Sequence, residues 1–290
     1  MKLSVVIVSW ESAHELPSCL KAVYGPQVEL DFEVIVVDNA SSDATADLIS
    51  KQFPLIRLIE NHRNRGYACA VNQGLTYSKG NYLLLLNPDV VMNPGSLGKM
   101  VAYLDAHPEV GALAPQMLFP DGSIQSSCRE FPSYQVLLWE TTGLSRLFQR
   151  HRVLGRWKMG YFDHATEQEV DQPLASCFLV RRQVIDEIGF MDECYPLYFN
   201  DVDWCYRMKK EGVRIVFYPE AQVVHALGAC TSKNPYGKAL LRKGMHDFLA
   251  KHDTGKLKFL WKPLFWIPLL LSSKPAGWKF FFQDPLEWEI

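Results

Sequence analysis

Short apolar runs alternate with amphipathic stretches through the first third of the chain. Residues 3–8 form an apolar, β-branched run, the pattern of a strand buried on both faces. Helical spacing follows over 16–24 and stops at Gly25-Pro26. Residues 32–37 repeat the buried-strand pattern. Ser41 or Ser42 is placed to cap a helix over 44–51. A third strand is expected over 55–59, a helix over 67–78 closing at Gly80, and a fourth strand over 82–86 that ends at Asn87-Pro88-Asp89. This β-α rhythm predicts an α/β fold: an open, mostly parallel, Rossmann-like sheet with right-handed crossovers and helices on both faces.

Beyond a helix over 94–106 the rhythm loosens. Strands are expected over 110–118 and 123–128, around the turn Pro120-Asp121-Gly122. A helix over 134–150 and a mobile loop over 151–172 come next. The pattern then reads strand 174–180, helix 182–188, helix 201–210 ending at Gly212, and strand 213–218. An amphipathic helix over 235–252 leads into a basic tail. Soft boundaries fall near 110 and 232.

Composition narrows the class. The 290 residues are 48% apolar and 21% charged, close to globular averages, which excludes a disordered or collagen-like chain. Seven cysteines, an odd number with no CxxC pair, read as small buried residues in a reducing compartment. Charge is uneven: residues 1–232 carry a net −7 and residues 233–279 a net +8. An acidic body with a basic tail is not the footprint of a nucleic-acid binder. The N-terminal apolar run is too short for a signal peptide, and the longest greasy stretch, residues 263–271, is far below the roughly 20 residues of a membrane span. A cytoplasmic protein is expected.

In an open α/β sheet, ligands bind beyond the carboxyl ends of the strands. Three polar groups fall there: Ser9-Trp10, Asp38-Asn39 and Asn87-Pro88-Asp89. Asp89 follows four leucines, where a carboxylate is costly unless hydrogen-bonded, paired or metal-bound. Downstream, Asn200-Asp201-Val202-Asp203 opens a helix; Asn200 suits a cap, and both acids suit the helix dipole. His225 ends an apolar stretch, and with Asp89 it would make a mixed O/N site for a divalent metal. Asn64-Arg65-Gly66 would either lend N–H groups and a cation to an anion or form a plain turn. No dinucleotide fingerprint, NTPase phosphate loop or nucleophile elbow is present.

The ordered set is Ser-Val-Val-Ile-Val-Ser9-Trp, Val-Val-Asp38-Asn39-Ala-Ser-Ser-Asp43, Asn64-Arg-Gly66 through Asn72-Gln-Gly74, Leu-Leu-Leu-Leu-Asn87-Pro88-Asp89, Tyr198-Phe-Asn200-Asp201-Val-Asp203 and Val-Val-His225. Over about residues 3–250 it resembles family 2 glycosyltransferases of the GT-A fold, in the rhamnosyltransferase-like branch that builds bacterial surface polysaccharides. The resemblance implies an inverting enzyme that moves a sugar, L-rhamnose by the branch, from a dTDP- or UDP-linked donor to a saccharide or lipid-linked acceptor. It implies that Asp38 bonds the nucleobase ring N–H, and that Ser9, Asn39, Asn64, Arg65, Asn72 and Asn87 belong to the donor site. Asp89 would hold Mg²⁺ or Mn²⁺ with His225 completing the site, and Asp201 would be the general base. Residues 1–110 would then be the nucleotide-sugar half, 111–232 the acceptor and catalytic half of the same domain, and 233–290 a basic helical extension.

Three departures from the family pattern stand out. Asn87 replaces the first acid of Asp-x-Asp, Asn200 replaces a glutamate before the base, and Trp10-Glu11 stands where Tyr-Asn is usual. In the tail, Lys256, Lys258 and Lys262 flank an apolar segment. It suits either peripheral contact with the anionic inner face of a membrane or a last helix packed on the domain. Two other functions compete. A sugar-phosphate nucleotidyltransferase would need a Gly-rich, basic loop after the first strand, and Ser-Trp-Glu-Ser-Ala is neither. A non-catalytic sugar-nucleotide binder is kept open by Asn87 and Asn200.

Overall fold

The computed structural model describes residues 1–25, 30–226 and 237–252. Its first four strands are β1 (Leu3–Ser9), β2 (Phe32–Asp38), β3 (Arg57–Glu60) and β4 (Tyr82–Leu86), connected by helices α1 (Leu16–Val23), α2 (Thr45–Gln52) and α3 (Tyr67–Tyr77). They are parallel, in the order β3-β2-β1-β4. Then follow β5 (Val90–Met92), α4 (Ser96–Ala106), β6 (Val110–Leu118), β7 (Ile124–Gln125), β8 (Cys128–Arg129), α5 (Tyr134–Thr142) and α6 (Leu144–Leu147). The chain continues through β9 (Gln168–Glu169), β10 (Gln172–Pro173), β11 (Cys177–Arg181), α7 (Arg182–Ile188), α8 (Asn200–Lys210), β12 (Arg214–His225) and α9 (Gly237–His252). Past β4 the sheet continues β11-β6-β12-β5, with β11 antiparallel to both neighbours, β12 parallel to β6 and β5 antiparallel to β12. The result is the α/β architecture expected, a mostly parallel sheet with an antiparallel insertion.

Side chains alternate across the pleat, so each central strand feeds two cores. Val5, Ile7, Leu84 and Leu86 pack with Leu16 and Leu20 of α1 and Met100 and Leu104 of α4. Val6, Val8, Leu83 and Leu85 pack on the other face with Val71 and Leu75 of α3 and Trp204 and Met208 of α8. A third cluster joins Met245, Phe248 and Leu249 of α9 to Leu137, Tyr195, Phe199 and Val202. The predicted amphipathic C-terminal helix is thus docked through its apolar face. The tail after His252, with its lysines, lies outside the described residues. Among the described residues no helix is long and apolar enough to cross a membrane.

Several expectations are corrected. Neither Ser41 nor Ser42 caps α2: Ser41 bonds Asp38, Ser42 bonds Glu11, and Asp43 accepts the Thr45 N–H at 3.0 Å instead. Leu55 is a turn residue, 88% exposed, and β3 begins two residues later. The helix expected over 134–150 breaks at Gly143, whose φ of 77° ends α5 in the left-handed region. The strand expected over 123–128 splits, β7 joining β6 and β8 joining β10. The expected loop 151–172 contains β9 and reaches the first residue of β10. The last strand runs on to His225, accommodating register shifts after Arg214 and Tyr218.

Candidate active site

Parallel register sets the site's first wall. Ser9 and Asp38 are neighbours at the carboxyl ends of β1 and β2. Buried Asp38 accepts from Ser9 Oγ (3.0 Å) and Ser41 Oγ (2.6 Å) through Oδ1, and from the Ser41 N–H (2.9 Å) through Oδ2. Asn39 clamps the next loop: its amide donates to Asn64 Oδ1 (2.6 Å), and its carbonyl accepts from the Arg65 N–H (3.0 Å) and Asn61 (3.1 Å). Asn64 in turn accepts the Gly66 N–H at 2.9 Å, and Tyr67 donates its N–H to Pro196 O at 2.5 Å. The Arg65, Gly66 and Tyr67 N–H groups are therefore engaged by protein acceptors. The Arg65 side chain is exposed.

Gly66 is required here. Its φ is +80° and ψ 160°, and a Cβ would meet Pro196 Cβ at 2.7 Å and Pro196 O at 2.9 Å. Gly66→Ala is expected to lower stability by about 1–3 kcal/mol through backbone strain alone. A urea midpoint equal to that of the parent would contradict this.

At the end of β4, Asn87 accepts from the Tyr67 hydroxyl (3.3 Å) and donates to Ser176 Oγ (3.2 Å), while its N–H bonds Ser176 O (2.8 Å). The next turn leads into β5. Pairing of β5 with β12 sets Val90 opposite His225 and so brings Asp89 beside that imidazole. His225 Nε2 lies 3.6 Å from Asp89 Oδ1, with both side chains nearly buried. Nδ1 is 2.7 Å from Gln125 Oε1. With the Gln125 carbonyl accepting from Nδ1–H, Nε2 would present its lone pair toward Asp89. Burial pushes the His225 pKa down against the pull of Asp89, favouring the neutral imidazole a metal needs.

Asp201 comes from the first turn of α8. Its carboxylate accepts from Gln172 Nε2 (3.0 Å), from the Val202 N–H (2.9 Å) and from the Ala175 N–H. Desolvation lifts its pKa above the usual carboxylate range, with these hydrogen bonds opposing. Asn87 bonds Ser176 and Asp201 bonds Ala175 and Gln172, so segment 172–176 holds both polar groups. Tyr67 lies between them: burial first, then the charges of Asp201 and Asp89, raise its phenol pKa.

Other expectations shift. Asn200 does not cap α8 but occupies its first turn, donating to Tyr195 O (3.2 Å) and Leu197 O (3.3 Å); Phe199, at φ 69°, stands at the N-cap. Asp203 does more than suit the dipole. It is fully buried against Arg207, Lys251 and His252. Asn72 lies apart from the cluster, its amide bonding both N–H and C=O of Met191 and Glu193 Oε1. Sequence reading missed Tyr67, Gln125, Gln172 and Ser176. Tyr67 lies inside the 64–74 motif but has no assigned role there; Gln125, Gln172 and Ser176 stand in none of the motifs.

Asp89 and His225 fit a divalent cation: a carboxylate oxygen and an imidazole lone pair 3.6 Å apart can both reach an ion at about 2.1 Å. Among the described residues no cluster of three or more His, Cys, Asp or Glu side chains stands ready to enclose one.

The sheet is that of the α/β GT-A glycosyltransferase fold. The fold is shared with a Pyrobaculum calidifontis mannosyltransferase in complex with GDP-Man and Mn²⁺ (TM-score 0.59, 16% identity, 98% of this chain and 81% of that one). It is also shared with S. aureus TarS 1-349 in complex with UDP-GlcNAc (TM-score 0.59, 16% identity, 97% and 78%). The family model for glycosyl transferase family 2 matches residues 4–189, and the chain belongs to that family. It is 29% identical over 273 residues, 87% of this chain and 85% of the relative, to an N-acetylglucosaminyl-diphospho-decaprenol L-rhamnosyltransferase of Mycobacterium tuberculosis. It is 24% identical over 231 residues, 78% and 66%, to a low-salt glycan biosynthesis hexosyltransferase of Haloferax volcanii.

Proposed function

We propose that this glycosyltransferase is metal-dependent and inverting, and that it moves L-rhamnose from a dTDP- or UDP-linked donor to a hydroxyl of a lipid-linked saccharide at the inner face of the membrane. The observation that carries this is the convergence of Asn87, Asp201 and Asp89, the last paired with His225, around Tyr67, with Asn87 and Asp201 both tied to segment 172–176. The mycobacterial relative is an L-rhamnosyltransferase of a GlcNAc-diphospho-decaprenol acceptor, which supports the substrate class.

Asp38 has one acceptor position left on Oδ2, which suits a nucleobase ring N–H and is common to uracil and thymine. Ser9 orients that carboxylate, and Asn39 and Asn64 shape the loop that closes on the nucleotide. Asn72 supports the loop at 191–193 instead of touching the donor. Asp89 and His225 would hold Mg²⁺ or Mn²⁺ together with diphosphate oxygens; the ion would neutralise charge developing on the leaving diphosphate. Gln125 fixes the tautomer of His225. Asp201 takes the proton of the acceptor hydroxyl as that oxygen attacks the anomeric carbon from the face opposite the leaving group.

The departures at Asn87 and Asn200 have physical explanations compatible with catalysis. Both amides donate, to Ser176 Oγ and to the Tyr195 and Leu197 carbonyls, which a carboxylate cannot do. This weakens the non-catalytic reading. The nucleotidyltransferase reading is weakened by the loop after β1, where Glu11 bonds Ser42 and no cation is present.

Asp89→Ala tests the metal assignment. Calorimetry with dTDP and UDP in the presence of Mn²⁺ is expected to show metal-stimulated binding in the parent and its loss in the variant. Unchanged Mn²⁺-dependent affinity would remove Asp89 from the metal site.

A further inference from the structure

The ribbon of β8 and β10 carries a cation that the reading above does not use. Arg129 stands opposite Gln172 in the antiparallel register. Directly opposed residues share a face of the ribbon, with Cβ atoms about 4.5–5.5 Å apart. Gln172 is the residue whose amide holds Asp201 Oδ2 at 3.0 Å. Arg129 is thus the cross-strand neighbour of the group that orients the general base.

Its guanidinium is half-buried and only partly used. Nη1 donates to Ser126 O (3.1 Å), Ser126 Oγ (3.4 Å) and Cys128 O (2.7 Å). Among the described residues Nε and Nη2 have no acceptor, and no carboxylate forms an ion pair with this side chain. Arg156, Arg181, Arg182 and Arg207 each engage two or more guanidinium nitrogens. Burial lowers the Arg129 pKa, while Cys128, Asp201 and Glu140 act to raise it. A partly desolvated guanidinium without a paired anion is unfavourable unless a ligand brings the anion. Its two unused nitrogens form the fork that matches a phosphate.

We propose that Arg129 binds a phosphate oxyanion of the acceptor, so that the enzyme selects a saccharide carried on a phosphate or diphosphate. This rests on the assignment of Asp201 as the base that faces the acceptor. Gln172, opposite Arg129 on the ribbon, holds Asp201, whereas the donor diphosphate is assigned to Asp89 and His225 on the β5–β12 side. The phosphate is bound on the ribbon, the sugar hydroxyl then faces Asp201, and a neutral glycoside lacks the first of these anchors.

The test compares two acceptors with the same sugar, a short-chain isoprenyl-diphosphate-linked GlcNAc and a neutral alkyl GlcNAc glycoside, with dTDP-L-rhamnose as donor. Parent, Arg129→Gln and Arg129→Lys are measured, with thermal melting as a check on folding. The parent's preference in kcat/KM for the diphosphate acceptor is expected to fall about 10–100-fold in Arg129→Gln, chiefly through KM, with Arg129→Lys intermediate. Equal losses on both acceptors would overturn the proposal, as would a comparable fall in Mn²⁺-dependent dTDP or UDP affinity, which would assign the cation to the leaving diphosphate. Calorimetry with citronellyl diphosphate on UDP-loaded enzyme provides a readout independent of transfer. Binding in the parent that is weakened in Arg129→Gln supports the proposal even if neither acceptor is glycosylated, an outcome that counts against the substrate reading alone. No binding in the parent, or equal binding in both, overturns the role of Arg129.

Discussion

Asp201→Asn is expected to slow sugar transfer by about 10²–10⁴-fold, roughly 3–5 kcal/mol of barrier, because it removes the group that accepts the hydroxyl proton. The substitution is nearly isosteric. Asn Oδ1 can still accept from Val202, and the Asn200 side chain keeps its bond to the residue 201 N–H at 2.8 Å. The contact with Gln172 survives if the Gln172 amide turns, at the loss of its bond to Pro173 O. Donor affinity is expected to stay within about threefold, since the metal ligands and Asp38 are untouched. Transfer rate beside dTDP or UDP affinity decides the matter. A large loss of affinity with normal transfer would return Asp201 to a helix-start role. The pH profile carries a second signature. Only the deprotonated carboxylate is a base, and burial raises its pKa. The rate of the parent should therefore fall on the acid side at a higher pH than an unperturbed aspartate would give, and this limb should vanish in the variant.

Asp203→Asn, two residues on, is expected to act on stability. The Asp203 side chain is fully buried, with Arg207 Nε at 2.9 Å and Lys251 Nζ and His252 Nε2 at 2.7 Å. Removing the negative charge takes from Arg207 its carboxylate partner and leaves it beside Lys251, which keeps Asp192 at 2.7 Å. Breaking such a pair from one side costs about 3–5 kcal/mol, here at the lower end because Lys251 retains solvent access. That corresponds to a fall in Tm of about 6–10 °C for a chain of this size. Two of the three partners lie in the last turn of α9, so that helix should become the first site of proteolytic cleavage. Asp201→Asn should melt with the parent. Equal Tm values for parent and Asp203→Asn would show that the ion cluster contributes little. The sequence pattern alone assigned both acids the same role at a helix start; burial against three basic groups sets Asp203 apart.

What the chain's own pattern determined is the alternation of buried strands and amphipathic helices up to β4, and with it the polar groups at the carboxyl ends of β1, β2 and β4. A strand covered on both faces must be a run of apolar residues, so its end is visible wherever Ser9, Asp38 or Asn87 interrupts the run. The ordered motifs also carried the family. Pairings between distant segments were decided only by tertiary structure. β5, β7, β8 and β10 are two or three residues long, too short to show any period, yet they bring His225 to Asp89, Gln125 to His225 and Gln172 to Asp201. Side-chain alternation reports which face a residue occupies and is silent about which strand lies alongside. The same limit hid the cations around Asp203 and the open fork of Arg129, because what a charge means depends on neighbours supplied by segments far away in the chain.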